Sequence, residues 1–148
     1  MVRVIETVQQ ILRGHAPTAI QAYRLQQIKQ ERDWEDCRKL VDETKRNFAT
    51  IIERELRNKL AENPIFTELR LDIMTIPDVL IEEHIRTSGH ISVRSSNVPM
   101  LQELVTLANQ EGVEPFISYY NSETPGKKYD AAFEIIIPYK LIERIISV

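Results

Sequence analysis

The sequence predicts an α+β protein in which N-terminal helices, one of them long, precede a compact body with a mixed four-stranded sheet. Residues 1–63 contain one glycine and one proline, and their apolar residues recur at helical spacing. Residues 64–148 contain three glycines and six prolines, together with short runs in which apolar and polar residues alternate. We therefore divide the chain into a helical arm, residues 1–63, and a β-α-β-α-β-β body, residues 64–148.

The arm begins with a short amphipathic helix. Val4, Val8 and Ile11 share one face of this helix, and Gly14 followed by Pro17 predicts its end. Neither glycine nor proline occurs again before Pro64, so the rest of the arm is expected to be helical as well. The sequence leaves open whether that part is one long helix or two helices that meet in a weakly apolar segment around Asp33.

A clearer apolar seam runs through the second half of the arm. It includes Trp34, Cys37, Phe48 and Ile52. The interval between successive apolar positions changes from seven residues to four, which is typical of a long packed helix. We expect Cys37 to be a small buried apolar side chain on this seam. As the chain's single cysteine, it excludes an intrachain disulfide and a cysteine metal site, and it favours a reducing compartment.

The body is predicted to combine strands and helices in alternation. Two helices, residues 77–89 and 99–112, are bounded by proline and glycine, and Pro125 with Gly126 predicts a hairpin turn. Residues 139–148 form either a final helix or an extended tail. Two strand–helix–strand crossovers followed by a hairpin predict a mixed sheet with helices on one face. The expected strands are residues 68–73, 90–94, 114–120 and 132–138.

Composition and charge limit the classes of function. The apolar fraction of 43% and the charged fraction of 28% are those of a soluble, folded protein. No apolar run approaches the roughly 18 residues of a membrane span, and Glu6 interrupts any signal peptide, so we expect a cytoplasmic protein without a membrane partner. The arm carries a net charge of +2 and the body −5, without the basic excess typical of a dedicated duplex-DNA binder.

The sequence contains no recognisable catalytic, metal or cofactor signature. His90 and Ser92 match one half of the two-histidine phosphoesterase pattern, and the second half is missing. Asp72 and Glu134 lie on predicted strands, but the E-x-K pattern that accompanies a nuclease metal site is missing. We therefore predict neither a metal nor a cofactor. An enzyme would require several of four residues to meet in one pocket: Asp72, His84, His90 and Glu134.

The C-terminal hairpin gathers aromatic and basic side chains. Such a set suits stacking on unpaired bases with neutralisation of phosphates, and it equally suits a contact with a protein. Tyr119 and Tyr120 are adjacent on a predicted strand, so they point to opposite sides of the sheet and do not form one stacking platform. The candidate ligand-binding or nucleic-acid-binding residues are Tyr119, Tyr120, Lys127, Lys128, Tyr129 and Lys140.

The leading functional hypothesis is a non-enzymatic interaction protein that uses its helical arm as the interface. The arm contains more apolar surface than a body of this size covers, and a second copy or a protein partner would bury the excess. An adaptor, an inhibitor or an assembly subunit of viral or bacterial type fits this description. The alternatives are a nucleic-acid-binding accessory protein and a small enzyme. The expected interface residues are Val4, Val8, Ile11, Trp34, Phe48 and Ile52.

Overall fold

The structure, a computed structural model, describes residues 2–62, 68–88 and 93–146. Within these ranges the chain forms five helices and three strands, so the predicted α+β class is confirmed. None of the helices in these ranges is both long and apolar enough to cross a membrane. The elements in chain order are α1 (Val2–Arg46), α2 (Phe48–Glu62), β1 (Glu68–Thr75), α3 (Asp78–Ser88), α4 (Pro99–Gln110), β2 (Glu114–Asn121), β3 (Tyr129–Pro138) and α5 (Tyr139–Ile146).

The chain forms two compact units, Met1–Asp36 and Cys37–Val148. This division lies earlier in the chain than the one expected between Asn63 and Pro64. The difference arises because the last part of α1 and the start of α2 contribute to the core of the second unit. Cys37, as predicted, is buried in that core.

Helix α1 continues through Gly14 and Pro17, where the sequence predicts an end. Gly14 does not adopt the positive φ of a helix-terminating glycine, whereas Gly112 and Gly126 do. Proline fits the helical value of φ, so the helix can continue past Pro17 although one backbone hydrogen bond is lost. The predicted end of the first helix at these residues is therefore wrong.

The helical arm is interrupted at Asn47 and not in the segment around Asp33. The backbone N–H of Asn47 donates to the carbonyl of Glu43 at 3.0 Å, and Ile51 donates to the carbonyl of Asn47 at 2.9 Å. Asn47 thus keeps its own helical hydrogen bonds, and the interruption between α1 and α2 is a local distortion at this single residue. Neither alternative for residues 18–63 holds as stated, because the chain forms two helices that meet at Asn47 and not around Asp33.

The described strands form one antiparallel sheet in the order β1-β3-β2. The predicted four-stranded mixed sheet is not confirmed, because the expected strand at residues 90–94 lies partly outside the described residues. Of that segment, Val93 and Arg94 form a bend. The carbonyl of Val93 nevertheless accepts a hydrogen bond from the backbone N–H of Ile117 at 2.6 Å, so this residue lies beside β2.

Helices cover one face of the sheet. Phe133 at the centre of β3 is paired with Ile117 of β2 and Met74 of β1, and all three are buried. Leu80 of α3 and Leu104 of α4 belong to the same apolar core. The opposite face is polar around Asp72, Ser118 and Glu134, whereas Ile136 on the same face is buried.

Ionic contacts hold the C-terminal part of α1 against α4 within the second unit. The Glu103 carboxylate accepts hydrogen bonds from Arg38 at 2.6 and 2.9 Å and from Lys45 at 2.8 Å. The Arg38 guanidinium is the main cause that lowers the pKa of Glu103 to about 2. Because these groups are about one-third exposed, solvent screening keeps their contribution to stability modest.

Candidate functional site

The first unit exposes many large apolar side chains along α1. Among its residues with described side chains none is buried, and Val4, Ile11 and Leu25 are each at least 60% exposed. Soluble proteins rarely leave contiguous apolar patches uncovered unless they bind something, and Val4, Val8 and Ile11 are neighbours on successive helical turns. The exposed large apolar residues of the unit are Val4, Ile5, Val8, Ile11, Ile20, Tyr23, Leu25, Ile28 and Trp34.

Six of these residues share one side of α1, a surface that we call the α1 stripe. At about 100° per residue they fall within a sector of roughly 140°. Eight of the ten charged residues in the first 36 lie outside this sector, and Lys29 and Asp33 are the exceptions. Apolar and charged residues are therefore largely separated around the helix, although Ile20, Leu25 and Ile28 are exposed outside the sector. The α1 stripe consists of Val4, Ile5, Val8, Ile11, Tyr23 and Trp34.

Two residues expected at the interface lie elsewhere. Phe48 is only 4% exposed and packs in the core of the second unit, so it has almost no surface to offer a partner. Ile52 is half-buried against the same core. Val4, Val8, Ile11 and Trp34 remain exposed, and the α1 stripe is therefore confined to the first unit.

The aromatic side chains of the hairpin lie on opposite sides of the sheet, as their alternation predicts. Tyr119 faces the helix-covered side, where its ring meets the ring of His84 edge-on at 6.1 Å between centroids. Tyr120 faces the other side and is largely exposed. Tyr129 is half-buried and packs against the core. These three residues do not form one surface on which bases could stack.

The lysines of the hairpin are engaged with carboxylates. Lys127 lies 3.2 Å from Asp130, and the Nζ of Lys128 lies 3.0 Å from Glu82. Lys128 also approaches the ring of Tyr129, at 5.6 Å from its centroid. Lys140 is exposed at the start of α5. Neutralised lysines offer little attraction to a phosphate backbone.

The polar face of the sheet contains a shallow cavity of about 260 Å³. The antiparallel register pairs Asp72 of β1 with Glu134 of β3, so both carboxyl groups line this cavity. Two of the four residues singled out in the sequence are thus brought together. Two of the candidate ligand-binding residues, Tyr120 and Lys127, also line the cavity. Sequence patterns did not indicate the lining residues Thr75, Ser118 and Asp130.

Glu134 is the most strongly perturbed carboxyl group of this cavity. Burial is the main cause that raises its pKa to about 7, and hydrogen bonding to Asp72 and the charge of that neighbour add to the effect. Arg70 and Lys59 act in the opposite direction. The Oε2 atom of Glu134 is buried without a hydrogen-bond partner among the described residues. A protonated carboxyl group is therefore the favoured form below neutral pH.

His84 does not belong to this cavity. It is fully buried on the helix-covered side, and its Nδ1 lies 2.7 Å from the Oγ of Ser96. The same hydroxyl oxygen accepts a hydrogen bond from the backbone N–H of Val98 at 3.1 Å. His90 lies outside the described residues. In the part of the chain that the structure describes, no three His, Cys, Asp or Glu side chains are arranged to hold a metal ion.

Replacing His84 with leucine is expected to make the protein more resistant to acid. Burial lowers the pKa of His84 below its ordinary value of 6.5. Between these two pKa values the histidine binds a proton in the unfolded chain but not in the folded protein. Stability is consequently lost as the pH falls below about 6.5. Circular dichroism during acid titration should show the midpoint of unfolding at a lower pH in His84→Leu than in the wild type.

The matched control for this experiment is Ser96→Ala. It removes the hydroxyl partner of His84 but keeps the titrating ring, so the acid sensitivity should persist. Equal acid midpoints for His84→Leu and the wild type would show that His84 does not limit stability in acid.

Comparisons with known proteins do not assign this chain to a family or a function. The chain matches no protein-family model, no curated protein and no solved structure. Function is therefore inferred from the surfaces and cavities of the molecule alone.

Proposed function

We propose that this protein is a self-associating interaction protein whose interface is the α1 stripe. The observation that carries the proposal is the exposure of large apolar side chains along one side of α1, with no described side chain of the first unit buried. Val4, Val8, Ile11 and Trp34, the interface residues expected from sequence, all belong to this stripe. A helix of this kind gains most of its stability from packing against another element.

The energy available at the α1 stripe supports association. Burying the exposed half of a large apolar side chain contributes about 1 kcal/mol. Six such side chains in each of two copies therefore supply roughly 12 kcal/mol. The loss of translational and rotational freedom costs about 4–15 kcal/mol, so the two terms are of similar size and association is feasible.

The two alternative functions receive less support. A nucleic-acid interface in the hairpin would need accessible cations beside coplanar aromatic rings, whereas Lys127 and Lys128 pair with carboxylates and the tyrosines are divided between two sides. An enzyme would benefit from His84 near the pair Asp72 and Glu134, but this histidine is buried on the opposite side of the sheet.

The test is the solution mass of a double variant, Val8→Gln with Ile11→Gln. Glutamine preserves helix propensity while it removes two apolar contacts from the α1 stripe. We expect light scattering to give at least twice 17.2 kDa for the wild type and 17.2 kDa for the variant. Circular dichroism should show that the second unit of the variant remains folded, with a loss of helix signal no larger than the unpacked part of α1 accounts for.

The matched control is Gln9→Ala with Gln10→Ala, two substitutions at adjacent positions outside the α1 stripe. This control should retain the mass of the wild type, because neither glutamine lies within the apolar sector. If the Val8→Gln, Ile11→Gln variant kept the mass of an oligomeric wild type, the proposed interface would be refuted.

A further inference from the structure

The cavity on the polar face of the sheet has a floor of small side chains. Ala132 of β3 lies between Thr75 of β1 and Ser118 of β2, and all three residues line the cavity. Alternation along β3 places Ala132 and Glu134 on the same face, so the pair Asp72 and Glu134 stands at one end of this floor. The larger carboxylate side chains rise above the floor and bound that end of the cavity.

The other end of the cavity carries an aromatic ring and an ion pair. Tyr120 of β2 is paired with Asp130 of β3 and is 66% exposed. Lys127 lies 3.2 Å from Asp130, so these two charges compensate each other. Among the lining residues, the acidic charge without a basic partner is therefore concentrated at Asp72 and Glu134.

The charged groups that face Glu134 come from two elements. Asp72 and Arg70 belong to β1, and Lys59 belongs to α2. Arg70 pairs with Glu68 at 3.1 Å, and neither Arg70 nor Lys59 lines the cavity. Among the described residues, no salt bridge joins a basic side chain to Asp72 or Glu134, and the Oε2 atom of Glu134 is buried without a hydrogen-bond partner. The pair is thus an acceptor site for which the described residues supply no cation.

We propose that the cavity binds a small organic cation whose guanidinium head occupies the pair Asp72 and Glu134. A guanidinium group offers several N–H donors in one plane, and its charge-assisted hydrogen bonds to carboxylates are among the strongest in proteins. Residues 134 and 130 are about 13 Å apart along an extended strand, so a body of several carbon atoms can lie over Ala132 towards Tyr120. The cavity volume of about 260 Å³ accommodates a ligand of this size. The site lies wholly within the second unit, so the inference is independent of the α1 stripe.

Cation binding at this pair is expected to release a proton. Glu134 holds its proton up to a pKa of about 7, mainly because of burial, and Asp72 adds to the effect. When the guanidinium head binds, this proton passes to the solvent and both carboxylates face the positive charge. The guanidinium itself stays charged throughout the neutral range. Affinity should therefore rise about tenfold for each pH unit between about pH 5 and pH 7, and level off above pH 7.

NMR titration of the full-length protein with butylguanidinium at pH 8 tests the proposal. Butylurea is the matched probe, because it has the same length and a similar shape but no charge. Glu134→Gln removes a negative charge from the cavity, and Glu111→Gln makes the same change on an exposed residue at the end of α4. Constant ionic strength keeps the screening of charges equal in all samples.

We expect saturable shifts of amide signals from β1 and β3 with butylguanidinium and none with butylurea. Glu134→Gln should weaken binding by about tenfold or more and abolish its pH dependence, whereas Glu111→Gln should bind as the wild type does. The proposal would be overturned by the absence of saturable shifts in the wild type, by equal binding of butylurea, or by equal affinities of Glu134→Gln and the wild type. An affinity of the wild type that is the same at pH 5 and at pH 8 would overturn it as well.

Discussion

Replacing Phe133 with alanine is expected to lower the free energy of unfolding by about 3–5 kcal/mol. Phe133 is fully buried at the centre of the middle strand β3, opposite Ile117 and Met74. Removing the ring leaves a cavity between the sheet and its helices that the close-packed surroundings fill only in part. Chemical denaturation followed by circular dichroism measures the loss.

Tyr120→Ala is the matched control for this substitution. It also truncates an aromatic residue of the sheet, but Tyr120 is 66% exposed on the polar side, so the loss should be less than about 1 kcal/mol. Similar losses for the two variants would contradict the assignment of the packed face and of β3 as the central strand.

The wild type is expected to lose stability as the pH rises, because Glu134 ionises in the folded protein. Replacing Glu134 with glutamine should abolish this loss. The folded protein holds the Glu134 proton up to a pKa of about 7, whereas an ordinary glutamate releases it near 4.5. Stability due to this group is thus fully present below about pH 4.5 and is lost as the pH rises through 7. With allowance for partial solvent access, Glu134→Gln should exceed the wild type at pH 8 by about 1–3 kcal/mol.

Unfolding measured at pH 5 and at pH 8 separates the causes of this effect. Asp72→Asn removes the neighbouring charge but leaves Glu134 buried, and burial is the larger cause, so it should reduce the pH dependence only in part. A Glu134→Gln variant that follows the same pH profile as the wild type would show that Glu134 ionises normally.

Local patterns in the sequence predict the elements of the second unit well. The strict alternation from Glu68 to Ile73 corresponds to β1, and Pro99 begins α4 as expected. Gly112 and Gly126 both have positive φ, which is the backbone conformation that their predicted turns require. The segment after Pro138 is a helix, α5, over its described residues. Each of these features depends on residues close together in sequence.

Features that depend on tertiary packing were not predictable in the same way. Trp34 and Phe48 lie on one apolar seam and resemble each other in sequence, yet only Phe48 is buried by the chain's own core. The pairing of Asp72 with Glu134 depends on the register of strands far apart in sequence, which alternation alone does not fix. The junction at Asn47 likewise lacks the glycine or proline that usually indicates a break.

The most direct test of helix-mediated self-association is the mass of the unmodified full-length protein in solution over a range of concentrations. Trp34, the only tryptophan, lies on the α1 stripe, so its emission can be followed in the same samples. We predict a mass of at least twice 17.2 kDa, with a blue shift of the Trp34 emission as the protein associates. A mass of 17.2 kDa at every concentration, with unchanged emission, would contradict the proposal that the α1 stripe is an interface between copies.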